Sequence, residues 1–499
     1  MPDLRWIVAE KWKGWKESAL EYRCMIRPCV IMFAVYVIGI SAILRANFNY
    51  RDDLMRGYHG IGGWDNYGRH ISNILSCVIH GDTYLTDVSP LPQVLAALLM
   101  AATAVIVWYI FSEDKRFNFG NLAALVPLGL SPYFLQCFSY KYDAPYMALS
   151  VLVSVAPLLF WKYGYWKFFC GAAIGSLAMC LTYQASSGIF PMLVAMICFI
   201  KWNCGDKIRE ILTFVLYSAG GYILGMAIFK IFLMPKADSY VSTSLPSFRE
   251  IVPVVGGNLG RYFRYIETDF KIEWLELILL LCLGFVFVMV RDSVKRWYAA
   301  LLMSILILFV MLVFSFGLYP IFSKPLFAPR AMYGFGIFLV LIGTAVSVAA
   351  KAYPAKASCI ILAWCFFVFS FTYGNALREQ QDYADFRIAA VINDLNSLDI
   401  MVDNSKKEMQ LTGSIGHAPV VKNMSKHNRM IKRLVPTQFQ ARMRPEEWKF
   451  FHYYGFKKVK WNWYKKTDED FRELNLPIVK DTMYHTIRGK DGRVLVELK

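Results

Sequence analysis

Charge is scarce in this chain: of 499 residues only 18% are Asp, Glu, Lys or Arg, while 57% are hydrophobic and 16% aromatic. That balance excludes an ordinary soluble enzyme. The few charges gather between long apolar runs, as in a polytopic helical membrane protein, because hydrocarbon demands an internally hydrogen-bonded backbone and roughly 20 apolar residues per span. The eleven cysteines show no CxxC or Cys/His ligand spacing. Cys170, Cys180, Cys198, Cys282 and Cys365 lie in or beside apolar runs and read as small hydrophobes, so no zinc site is expected. No GxGxxG or Walker loop appears, and no internal repeat or low-complexity segment. No cleavable signal peptide is expected: the first apolar run begins near Val30, after Lys11, Lys13, Lys16, Arg23 and Arg27, with no small-residue cleavage site before Asn47.

What is present orients the chain. Residues 1–29 form a basic, Trp-containing lead-in that reads as a cytoplasmic interfacial helix feeding a signal anchor. Residues 30–374 hold about eleven spans. Span one runs about Val30 to Ala46, span three about Leu122 to Cys137, span ten about Ala331 to Ala350 and span eleven about Ala357 to Tyr373. Every loop assigned to the cytoplasm carries Lys or Arg, as the positive-inside rule expects. The net charge of +17 thus reads as orientation toward anionic lipid, with no nucleic acid partner. The expected location is the bacterial inner membrane, with the loop 47–90 and everything after position 374 outside. Residues 375–499 read as a small soluble α/β unit, with strands at Ser397 to Val402 and Arg493 to Leu498 and a helix start at Pro445 within Ala441 to Gly455.

The polar residues on the outer side carry the chemistry. Asn49-Tyr50-Arg51-Asp52-Asp53-Leu54-Met55-Arg56 and Gly62-Gly63-Trp64-Asp65-Asn66-Tyr67-Gly68-Arg69 follow span one. Adjacent acids cannot point the same way, so one of Asp52 and Asp53 is expected to face an acceptor and the other to hold Arg56 or Arg69. An interfacial salt-bridge cluster capping a helix would use the same residues. Tyr140-Lys141-Tyr142-Asp143 ends span three. There Lys141 suits a phosphate and Tyr140 or Tyr142 a sugar ring, while Asp143 could simply N-cap span four. Thr182-Tyr183-Gln184 interrupts an apolar hairpin, as a cavity lining or a tight turn would. Arg330 stands where it could grip a phosphate or snorkel to headgroups. Carboxylates, cations and rings on one side suit transfer of a sugar onto a hydroxyl. No paired DxD lies in a cytoplasmic loop, which disfavours a nucleotide-sugar donor and favours a lipid-linked one.

The motifs Asp52-Asp53-Leu54-Met55-Arg56, Gly68-Arg69, Ser89-Pro90-Leu91, Ser139-Tyr140-Lys141-Tyr142-Asp143, Tyr183-Gln184 and Pro329-Arg330 resemble the Gtr-type serotype-converting glucosyltransferases, phage-borne enzymes that decorate bacterial O-antigen. The chain departs from the pattern at Lys141, where an arginine is expected. The resemblance implies an α-helical, GT-C-like membrane fold and a donor of glucose on undecaprenyl phosphate. It also implies an O-antigen acceptor in lipopolysaccharide and companion proteins that make and flip the donor. Carried onto this chain, it makes Asp52 or Asp53 the catalytic base, and Arg56, Arg69, Lys141 and Arg330 contacts to phosphate or acceptor. Trp64, Tyr140, Asp143, Tyr183 and Gln184 complete the expected substrate site. No cofactor is required, although the carboxylates of Asp52, Asp53 and Asp143 would admit a divalent cation. A flippase for a lipid-linked saccharide, or a transferase of another sugar to another envelope glycan, would use similar residues. Charges gathered at one face argue against alternating access.

Overall fold

The computed structural model describes residues 22–112, 115–235, 244–349, 351–398, 408–439, 460–461 and 470–499. Most of the basic lead-in and the expected helix at Ala441 to Gly455 lie outside the described residues. In chain order the helices of the first half are α1 (Ile26–Ala46), α2 (Asp53–His59), α3 (His70–His80), α4 (Leu91–Phe111), α5 (Phe119–Leu130), α6 (Pro132–Phe138), α7 (Ala144–Val155), α8 (Tyr165–Thr182) and α9 (Ile189–Asn203). There follow α10 (Ile208–Ile228), α11 (Ile251–Asp269), α12 (Ile272–Arg291), α13 (Trp297–Phe314), α14 (Gly334–Val348) and α15 (Tyr353–Ser397).

Among the described residues, nine helices are long and apolar enough to cross a bilayer. The remaining two expected spans take other forms. Span three is the pair α5 and α6, bent by 58°. Ser131 is extended (φ −60, ψ 142) before Pro132, since proline lacks an N–H and drives its predecessor out of the helical region. Span ten is α14, only 15 residues long and buried from Gly334 through Ser347. A helix that is apolar all round and enclosed is an interior helix. By contrast, α10 buries only the stripe Phe214, Ser218, Gly221 and Gly225. A Cβ at Gly221 or Gly225 would collide with the backbone of α8, so small residues set this close approach.

The long helix α15 runs 45 residues without a break. At 1.5 Å per residue it is roughly 68 Å long. The composition shift near position 375 therefore falls inside a continuous helix, and no linker separates the two parts. Its far end packs Ala384, Ile388, Val391 and Leu395 against Met409, Leu411, Ile487, Val494 and Val496 of a sheet. That sheet comprises β1 (Glu408–Gly413), β2 (Lys460–Trp461), β3 (Ile478–Asp481), β4 (His485–Lys490) and β5 (Arg493–Leu498), in the order β2-β1-β5-β4-β3. Strand β1 is parallel to β2 and β5, while β3, β4 and β5 are antiparallel. A two-residue turn at Asp491 and Gly492, both at positive φ, closes the β4–β5 hairpin. The strand expected at Arg493 to Leu498 is present. At Ser397 the helix is still running, because Ala384, Ile388, Val391 and Leu395 hold helical spacing, and residues 399–402 lie outside those described. Between β1 and β2, α16 (Pro419–His427) and α17 (Arg429–Leu434) pack into the main helical core.

The two ends of the bundle differ chemically. At one end Lys162 lies over the rings of Tyr22 and Tyr109, and Lys201 pairs with Asp206. At the other end, α2, the α6–α7 turn, the α8–α9 turn and the loop before α14 converge.

Candidate functional site

Helix α1 ends at Asn47, whose left-handed conformation (φ 45) stops it. Arg51, also left-handed at φ 49, turns the chain into α2. Asp52 occupies the N-cap position and is exposed, whereas Asp53 is 1% exposed. The two acids therefore diverge, as adjacent side chains must. Asp53 Oδ2 accepts the Tyr50 N–H at 2.9 Å and the Lys141 N–H at 3.1 Å. Its Oδ1 is enclosed and has no hydrogen-bond partner among the described residues. Burial pushes this carboxyl up to about 7, against the opposing pull of the two amides and of Arg56 and Lys141.

Arg56 does not turn to the acids of its own loop. It pairs with Asp143, and the two side chains are 6% exposed each. Trp64 Nε1 donates to the other Asp143 oxygen at 2.5 Å, and the Arg56 guanidinium lies 4.6 Å over the Trp64 ring. The edge of Tyr146 closes the indole at 5.0 Å. Asp143 does stand at the N-cap position of α7, but its side chain makes no cap bond. Arg56, Trp64 and Asp143 thus form an enclosed brace, each held by the others. Lys141 is similarly committed: its Nζ donates to Asp87 Oδ2 at 2.9 Å. Burial raises the Asp87 carboxyl, yet hydrogen bonds from Ser89 and Lys141 outweigh it and hold the group below its usual value. Asp87 escaped the sequence reading. Its signal was the turn Asp87-Val88-Ser89-Pro90, in which the Ser89 N–H returns to Asp87 Oδ1 at 3.0 Å.

Three expected residues do come together at the α8–α9 break. Tyr183 is extended (φ −154) after α8, and a short turn, Gln184–Gly188, leads into α9. Arg69 Nε donates to Gln184 Oε1 at 3.2 Å, and its guanidinium sits 4.5 Å over the Tyr183 ring. Gln184 Nε2 in turn donates to the Tyr67 carbonyl at 3.0 Å.

Arg330 joins the acid turn from the other side. Its Nη1 donates to Tyr140 OH at 2.6 Å, and its backbone N–H to Gln136 Oε1 at 2.6 Å. Gln136 Nε2 donates to Tyr50 OH at 2.8 Å, and the Tyr50 and Tyr140 rings lie 4.8 Å apart. Arg330 is within electrostatic range of Arg51 and of Tyr183, which links the two clusters. Tyr50 and Gln136 were not singled out in the sequence. A glutamine inside an apolar span was the available signal.

Of the clustered polar groups, Asp52 and Arg51 are exposed, and Arg69, Gln184 and Arg330 partly so. Among the described residues, no three His, Cys, Asp or Glu side chains converge as a cation site. Asp143 is drawn off by Arg56 and Trp64. The arrangement offers guanidinium groups, steadied by buried rings, to an anion, and a carboxyl near neutral pKa to accept a proton.

A family model described as "Glucosyl transferase GtrII" matches residues 41–341. These bounds take in every clustered residue above up to Arg330. A curated relative, "Uncharacterized 55.3 kDa protein in gtrB 5'region" of Salmonella phage P22, is 30% identical over 126 residues, 25% of either chain. The chain thus matches only a quarter of that relative's length. No solved structure matches.

Proposed function

The chain belongs to the GtrII glucosyltransferase family, and from that premise we propose that it moves glucose from undecaprenyl-phosphate-glucose to an O-antigen sugar at the periplasmic face of the inner membrane. In this reading the N-terminus is cytoplasmic, the architecture is GT-C-like, and a synthase and flippase supply the donor. One observation carries the proposal. Asp53 has one oxygen fixed by the Tyr50 amide of its own turn and the distant Lys141 amide and the other unpaired among the described residues, in a cationic surround. A base near neutral pKa, held rigid on one side, is what removal of a hydroxyl proton requires.

In the transfer, the acceptor oxygen forms a bond to the glucose C1 and gives its proton to Asp53, whose enclosed Oδ1 the bound acceptor must uncover. The bond from C1 to the phosphate oxygen breaks, and its electron pair stays on the lipid phosphate. Arg69 and Arg330, partly exposed on either side of the acid turn, balance that developing charge. Asp52 faces the accessible side and orients the acceptor hydroxyl. Tyr140 and Tyr183 hold the two guanidinium groups rather than the sugar.

The test is mass spectrometry of O-antigen from host cells that make and flip the donor, with and without this chain. One added hexose per repeat, lost in Asp53→Asn at unchanged membrane level, supports the reading. No added mass with the protein in the membrane removes it.

A further inference from the structure

The acid turn and the Arg330 loop are both fastened to a helix that follows the sheet's first strand. Helix α17 starts where the Asn428 side chain caps the Met430 N–H, and Met430, Ile431 and Leu434 are fully buried in the main core. The carbonyl of Leu434 accepts from Tyr50 OH at 2.6 Å, and the Tyr50 N–H is one of the two that fix Asp53. The neighbouring Arg433 reaches the other way. Its guanidinium pairs with Asp269, donates to the Phe327 carbonyl, and lies 4.0 Å over the Tyr265 ring. Asp269 is itself held by Tyr133 OH at 2.9 Å. Phe327 begins the segment that ends in Arg330, and Gln136 ties that segment back to Tyr50.

We infer that Arg433 and Leu434 form a clamp in which α17 holds the Asp53 turn with one residue and the Arg330 loop with the next, making the C-terminal unit a working part of the site. Arg433 touches no reacting atom here. It is a positioning residue, and a base misplaced by about 1 Å loses on the order of 100-fold in rate. The alternative is that Arg433 merely docks the C-terminal unit. Arg387 separates the two ideas. It is 3% exposed and likewise anchors that unit, bonding Tyr383 OH at 2.6 Å and the Lys499 carbonyl at 2.9 Å, but it touches neither catalytic loop.

The inference rests on the glycosyl-transfer reading only for its rate effect, so the experiment has two arms. Full-length wild type, Arg433→Met and Arg387→Met are compared in lipid nanodiscs. The first arm is hydrogen–deuterium exchange. Arg433→Met should exchange on the order of tenfold faster in peptides covering 48–56 and 322–332, with the spans still protected, and Arg387→Met should not. The second arm is transfer from polyprenyl-phosphate-linked glucose to lipopolysaccharide. There kcat should fall on the order of 100-fold in Arg433→Met with the donor KM little changed, while Arg387→Met retains most of its kcat. Unchanged exchange in both loops overturns the clamp whatever the activity. Equal losses in the two variants reduce Arg433 to a docking contact. Absence of transfer in wild type, with the exchange difference present, overturns the transfer reading and leaves the clamp standing.

Discussion

Arg56 pairs with Asp143, across the fold, and not with Asp52 or Asp53 beside it in the chain. Trp64 shares the same carboxylate and stacks under the same guanidinium, so the three side chains brace the first loop against the start of α7. Removing one partner leaves the other buried and unpaired. Asp143→Leu or Arg56→Met is therefore expected to cost about 3–5 kcal/mol, and the double variant should recover much of that loss. Thermal unfolding of the purified proteins in one detergent checks it. A loss in the double variant equal to the sum of the two single losses would show that the pair is not coupled.

The raised Asp53 carboxyl gives activity and stability opposite pH dependences. As a base, Asp53 must be ionised, so transfer should rise with pH along a limb near 7. Its folded pKa lies above the unfolded value near 3.8, so the folded state binds the extra proton between those values. Stability should then fall as pH rises from about 4 to about 7, and Asp53→Asn should flatten that slope. A pH–rate profile alongside melting curves from pH 5 to 8 measures both. A slope unchanged in Asp53→Asn would assign the pH dependence to another group.

Arg69 offers its guanidinium over Tyr183 with Gln184 on its edge. Tyr183→Phe keeps the ring and should leave transfer within about twofold, while Tyr183→Ala should lower it several-fold through loss of the cation–π support. Arg69→Lys keeps the charge without the fork and should raise the donor KM about tenfold. Steady-state kinetics with varied donor decides. A normal KM in Arg69→Lys would take Arg69 away from the phosphate.

The proposed orientation is open to direct labelling. In a chain whose accessible native cysteines are replaced, Tyr84→Cys should react with a membrane-impermeant maleimide in intact spheroplasts. Arg296→Cys should react only after permeabilisation. Both positions are exposed, so their reactivity reports the side of the membrane. The reverse pattern would place the site in the cytoplasm.

Several features were legible along the chain because they depend on local chemistry. Apolar runs of spanning length announce helices whatever packs beside them, and each of the expected spans coincides with helical structure. The break at Thr182-Tyr183-Gln184 showed as polar residues in an apolar run, and the last strand showed as a short β-branched run after a turn. The gathering of Asp53, Arg69, Tyr183, Gln184 and Arg330 at one end followed from loop charge and helix parity.

Partner choice did not follow from sequence spacing. Which carboxylate Arg56 takes, where Lys141 sends its ammonium, and which acid keeps an unpaired oxygen all depend on side chains brought together from distant helices. Burial then sets the energetics: Asp53 titrates near neutral pH because the surrounding fold excludes water, a property invisible in the string Asp52-Asp53. The sequence by itself determined a helical membrane bundle with a polar, arginine-rich end. Only the tertiary structure decided that α14 is an interior helix, that α15 joins the two parts without a linker, and that α17 returns to hold the acid turn. Long-range packing and desolvation are properties of the assembled chain, and neither is written in local periodicity.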